Sequence, residues 1–116
     1  MHRIYTTSVA SVYVHYLAKV ERKGKNTQAE LDQVIRWLTG FTAAQLSKHL
    51  KAETNFRDFF AAAKLNPNAE LITGSICGVK IQEIEDPLMK QIRYMDKLVD
   101  EVANGRPMEK ILRTAA

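Results

Sequence analysis

The dipeptide Asp86-Pro87 constrains this chain more than any other feature. Aspartate accepts hydrogen bonds from the free N–H groups that open a helix, and proline costs nothing at the first helical position, where its missing N–H has no partner to lose. A helix should therefore begin at residue 87. Leu88, Ile92, Met95, Val99 and Val102 follow at alternating spacings of four and three, with Tyr94 and Leu98 widening the stripe on one side, and Gly105 marks a stop. The spacing predicts one long helix over about 87–103, amphipathic with a broad apolar arc running from Tyr94 round to Ile92.

Shorter helices are predicted around it. Val9, Val12, Tyr13, Tyr16, Leu17 and Val20 recur at helical spacing before Gly24, with Ser8 and Ser11 both suited to cap the start. Thr27 and Glu30 form a reciprocal capping box ahead of Leu31, Val34, Ile35 and Leu38, and Gly40 ends that helix. Thr42 caps a short helix with Leu46 and Leu50. Thr54 or Asn55 opens another, on which Phe56, Phe59 and Phe60 share a face. Asn66-Pro67-Asn68 reads as a turn, and Pro107 opens a last short helix carrying Met108, Ile111 and Leu112. Residues 71–84 are ambiguous between a strand and short helical pieces. No other segment alternates well enough to pair with a strand, so helical pieces broken at Gly74 or Gly78 are expected. The sum is an all-α, single-domain chain over residues 1–116, a bundle of about six or seven short helices around the longer one. The expected core comprises Val12, Tyr16, Leu31, Ile35, Leu38, Phe59, Ile72, Ile84, Leu88, Ile92, Met95 and Val99.

Composition narrows function by exclusion. The chain has 116 residues, 46% hydrophobic and 26% charged, which is enough to bury a core without metals or disulfides. A single cysteine, Cys77, permits no internal disulfide and suits a reducing compartment. No apolar run approaches the ~20 residues of a membrane span, and no signal peptide is recognisable, so a cytoplasmic location is expected. The three histidines are isolated and metal-ligand spacings are lacking, so neither metal nor cofactor is expected. Cys77 between Ile76 and Gly78 reads as a small buried hydrophobe rather than a nucleophile.

Charge is uneven. The net charge is +4, yet residues 1–26 hold five bases against one acid and residues 65–104 hold four bases against seven acids. Arg22, Lys23, Lys25 and Lys48 form a candidate basic patch for phosphates. The plainer reading is a helix end decorated as the dipole prefers, and nucleic acid is not the favoured partner. Residues 27–50 have the outline of a helix-turn-helix whose Gln45, Ser47 and Lys48 would face bases, against which stands the bulky Arg36 where close packing favours a small residue. Arg93, Asp96 and Asp100 fall within roughly 60° on the long helix and make a candidate polar cluster for a small enzyme or ligand binder. Like charges at Asp96 and Asp100, one turn apart, call for a cation beside them. The simpler alternative is an ion pair at the rim of the core. The broad apolar arc and the lack of a catalytic constellation favour a non-enzymatic interaction or structural module, with a protein partner or a second copy of the chain.

Several runs of the sequence resemble the bacterial domain of unknown function 2200 family: Asn66 to Gly74, Ile76 to Val79 and Glu83 to Met89, together with Trp37-Leu38-Thr39-Gly40, Arg93 to Leu98 and Met108 to Arg113. The resemblance covers nearly the whole chain and implies a small all-helical domain, with no assigned activity and no catalytic residue. Family members often carry proline where this chain has Val14, which implies a first helix starting near Tyr13.

Asp86 is thus assigned a structural role. Asp86→Ala should lower the urea midpoint of unfolding, and Asp86→Asn clearly less, because asparagine caps nearly as well without the charge. Two variants matching wild type would remove the capping account.

Overall fold

The computed structural model describes residues 3–22, 27–76 and 78–114. Six α-helices stand among them: α1 (Val9–Arg22), α2 (Gln28–Thr39), α3 (Ala43–Lys51), α4 (Phe56–Ala62), α5 (Pro87–Ala103) and α6 (Met108–Ile111). Three 3-10 turns lie at Arg3–Thr6, Pro67–Leu71 and Ile81–Glu83, and two-residue strands β1 (Ser75–Ile76) and β2 (Val79–Lys80) form a hairpin. The all-α reading holds.

Local chemistry sets the boundaries. Asp86 accepts from the N–H groups of Leu88 at 3.0 Å and Met89 at 3.4 Å. Both capping boxes close: Thr27 with Glu30, and Thr42 with Gln45. Asn55, not Thr54, caps α4 by accepting from Asp58 N–H at 2.8 Å. Helix α1 starts at Val9, four residues before the start near Tyr13 that the family's proline implies. Ser8 Oγ accepts from Ser11 N–H at 3.2 Å, and Val14 points outward within the helix. Gly40 ends α2 at φ +75°, and a Cβ there would sit 2.8 Å from the Lys64 carbonyl oxygen, so both conformation and space require glycine.

Residues 71–84 depart from expectation. The segment holds a hairpin, with Ser75 paired to Lys80 and Ile76 to Val79, antiparallel, and the one short helical piece it keeps after Gly78 is the 3-10 turn Ile81–Glu83. Its partner strand was internal to the segment, four residues on, which a search for a second alternating stretch could not find. Lys97 Nζ donates to the Ser75 carbonyl at 3.3 Å, tying the hairpin to α5.

Helix α5 lies at the centre, against α1, α2, α4, α6 and the hairpin. It buries Ile92, Tyr94, Met95, Leu98, Val99, Glu101, Val102 and Ala103. Its apolar arc is therefore covered by other elements of the same chain. Nine of the expected core positions are buried, while Val12, Ile84 and Leu88 are half-buried. Val12 lies in the first turn of α1, Leu88 in the first turn of α5, and Ile84 in the short stretch between the turn Ile81–Glu83 and α5. Phe41, Phe59 and Phe60 form an edge-to-face group with centroids 5.1 and 5.3 Å apart, and His49 lies 4.8 Å from Phe41.

Three tyrosines of the first segment each donate to an aspartate elsewhere. Tyr5 bonds Asp86 at 2.5 Å, Tyr13 bonds Asp32 at 2.5 Å, and Tyr16 bonds Asp96. The hydrogen bond to Asp86, with burial, pushes the Tyr5 phenol up to about 12. Burial, with the Asp32 bond, does the same for Tyr13, to about 12. Burial raises Tyr16 well above the ordinary phenol range, and burial also raises Tyr94.

Two measurements test this architecture. Ile92→Ala removes a side chain 3% exposed and should cost ~2–5 kcal/mol. Against a total of roughly 6–17 kcal/mol for a chain of this length, a clear fall in the urea midpoint is expected. Raised phenol values stabilise the folded state below pH ~10, and that contribution is lost as pH rises toward ~12. Phenolate absorbance should therefore lag the normal tyrosine titration and rise together with loss of helical circular dichroism. A normal titration near pH ~10 with the helices intact would overturn the three tyrosine bonds.

Candidate functional site

The Arg93, Asp96 and Asp100 cluster forms, but in two separate parts. Arg93 Nη1 donates to Asp96 Oδ2 at 2.9 Å, and Tyr16 donates to the other oxygen of the same carboxylate. Asp100 instead pairs with Lys19 of α1 at 3.0 Å and accepts from Asn104 at 3.2 Å. The cation that two like charges required is thus two cations, one from the same helix and one from α1. A small cavity of about 100 Å³ lies beside the first part, walled by Ile4, Val12, Phe56, Met89 and Ile92, with Tyr16, Arg93 and Asp96 at its polar end. Asp96 already fills that end: both its oxygens are bound. Tyr16 to Asp96 and Lys19 to Asp100 are the contacts of this cluster that join α1 to α5.

The basic patch is partly outside view, because Lys23 and Lys25 lie outside the described residues, as does Cys77. Arg22 is the exposed last residue of α1. Lys48 is exposed on α3, where it shares a shallow depression with Lys51, Ala44, Ser47 and Ala52. Helices α2 and α3 do form a helix-turn-helix outline, with the turn at Gly40 to Thr42 and with Gln45, Ser47 and Lys48 all exposed. Among the described residues no three histidine, cysteine or acidic side chains converge to hold a metal ion.

A larger feature escaped the sequence reading. Between α2 and α3 runs an open groove of about 690 Å³. Its polar lining comes from Gln28, Asp32, Gln33 and Arg36 of α2 and Ser47 of α3; its floor comes from Ala29, Ala43, Leu46 and Leu50. The lining follows from helical spacing, since Ala29, Asp32, Gln33 and Arg36 lie on one face of α2. The capping box at Thr42 starts α3 so that only Leu46 of that helix is fully buried. Gln28 Nε2 donates to the Tyr13 hydroxyl at 2.9 Å, and that hydroxyl donates to Asp32. Arg36 Nε donates to the Phe41 carbonyl at 3.2 Å. Asp32 and Arg36 stand one turn apart, yet among the described residues neither forms an ion pair. Periodicity alone could have put Asp32, Gln33 and Arg36 on one outward face. It could not have shown that α3 would leave that face concave.

A second buried ionic group lies at the other end of α5. Glu101 is 6% exposed and takes Arg113 through both Nη atoms and Arg106 through Nη1 at 2.7 Å. It holds the α6 segment against the bundle.

The chain matches the model of DUF2200, an uncharacterized protein family conserved in bacteria, over residues 3–113. It is similar to the crystal structure of uncharacterized protein SP1917, with a TM-score of 0.89 and 42% identity, over 97% of this chain and 92% of that one. No curated protein matches it. These likenesses carry fold and membership without an activity. With six helices, one small hairpin and a match from Arg3 to Arg113, the chain belongs to the DUF2200 family.

Proposed function

We propose that this chain is a non-enzymatic interaction module whose recognition surface is the groove between α2 and α3. The groove itself carries this reading. Its volume of about 690 Å³ falls within the range of functional clefts, and its lining alternates donors, acceptors and small apolar floor positions. The side chains arranged elsewhere as a possible reacting cluster are spent on one another: Asp96 on Tyr16 and Arg93, and Asp100 on Lys19. With α5 enclosed by its own chain, a partner distinct from a second copy docking on that helix is the better fit. The large hydrophobic side chains left exposed among the described residues, Val14, Leu71 and Val79, are scattered singly and offer little to a dimer.

The test is site-directed photo-crosslinking in a bacterium that carries the protein natively. A photoreactive residue at Gln33, within the groove, should trap a discrete partner. Ser47→Trp, which fills the groove from the exposed side of α3, should abolish that product while leaving helical content unchanged. The same reactive group at Val14, exposed on α1 outside the groove, should not trap it. Equal trapping at both positions, or indifference to Ser47→Trp, would overturn the assignment.

A further inference from the structure

We propose that the α2–α3 groove recognises a peptide through a cationic group set against Asp32 and a carboxylate set against Arg36. This rests on the groove being the recognition surface and adds the chemistry of its ligand.

The inference starts from a pair of charges that do not meet. Asp32 and Arg36 occupy positions i and i+4 of α2, where opposite charges ordinarily pair across one turn. Here each is turned aside by a neutral partner. Tyr13 donates to Asp32 Oδ1, and the Phe41 carbonyl takes the Nε–H of Arg36. The aspartate keeps its second oxygen and the guanidinium keeps both Nη groups, and both side chains line the same groove. A fixed anion and a fixed cation in one concavity form a site with no net charge but a strong internal dipole. Such a site favours a dipolar ligand aligned against it and discriminates against a plain anion or a plain cation.

The remaining lining narrows the class. Side-chain amides at Gln28 and Gln33 and the hydroxyl of Ser47 offer donors and acceptors together, which is what a peptide bond requires of its surroundings. Leu46 and Leu50, with Ala29 and Ala43, give an apolar floor for one side chain. Two extended residues span about 7 Å. The Cβ atoms of the two charged positions are about 5–6 Å apart, with the long arginine stem covering the difference. A peptide bearing a positive group and a carboxylate about two residues apart therefore spans the site. A free dipeptide is the smallest peptide whose amino and carboxyl ends stand about that far apart, and the contact of its carboxylate with the guanidinium is of the bidentate kind arginine favours.

The probe is alanyl-leucine, titrated into the whole chain and followed by amide shifts in nuclear magnetic resonance. Shifts should concentrate at Ala29, Gln33, Ala43 and Ser47. Acetylating the amino end, or amidating the carboxyl end, should each weaken binding at least tenfold. Arg36→Gln should remove the difference between free and amidated peptide, and Asp32→Asn the difference between free and acetylated peptide, with the Tyr13 bond still possible to the asparagine oxygen. Shifts that ignore both caps, or lie outside the groove, would overturn the proposal, as would no shifts at millimolar peptide. In the last case, a crosslinked partner still lost on Ser47→Trp would show that the groove is the interaction surface and that only its ligand chemistry is wrong. Loss of both signals would overturn the two readings together.

Discussion

Helix α5 can serve as the centre of the bundle only because the acids along its flank are met by donors, all but Arg93 from other segments. Asp96 takes Tyr16 and Arg93, Asp100 takes Lys19, and Glu101 takes Arg106 and Arg113. A carboxylate at the edge of a core loses hydration, and without a compensating donor its burial opposes folding. The donors come from α1 on one side and from the segment around α6 on the other. The apolar arc and the ionic rim thus act on the same two neighbours: hydrophobic burial brings α1 and α6 against α5, and the charged contacts select one rotational setting. Asp86 extends the pattern to the start of the helix, with one oxygen on the helix N–H groups and the other on Tyr5. The hydrogen bond from Tyr5 is the chief reason its carboxyl lies below the usual range. Its share of stability is present above ordinary carboxyl values and fades as pH falls through the lowered one.

Much of this frame was legible in the residues because it depends on local chemistry. Asp86-Pro87, Thr27 with Glu30, and Thr42 each act within one turn, so their patterns map directly onto helix starts. The apolar stripe of α5 followed from periodicity alone. The hairpin at 75–80 was not legible, because a strand of two residues has no alternation to read. The tyrosine–aspartate bonds also stayed hidden. They join residues as many as 81 positions apart, and nothing near Tyr5 or Tyr16 hints that its partner is an aspartate. Nothing in the residues around Glu101 marks it as buried, yet it lies inside with Arg106 and Arg113.

The candidate site divides the same way. Sequence spacing placed Arg93, Asp96 and Asp100 along one edge of α5, and in the structure Asp96 accepts from Tyr16 and Arg93 while Asp100 pairs with Lys19. The groove was out of reach because concavity belongs to two helices at once. Asp32 and Arg36 can be placed on a common face from their numbers. That each would be drawn off by a third group, Tyr13 for one and the Phe41 carbonyl for the other, depends on the approach of α1 and the path of the turn after Gly40.

The bonds from Tyr5 to Asp86 and from Tyr16 to Asp96 have a consequence for biosynthesis. Their partners emerge from the ribosome 81 and 80 residues later. At typical elongation rates of about 5–20 residues per second, that interval is roughly 4–16 s. Helices form in about a microsecond, so α1 can coil at once, with Val9, Tyr13, Tyr16 and Val20 still lacking the helix that will cover them. For those seconds the side of α1 that will face α5 stays uncovered. Docking of α1 on α5 becomes the step that waits for residues 87–103 to be read.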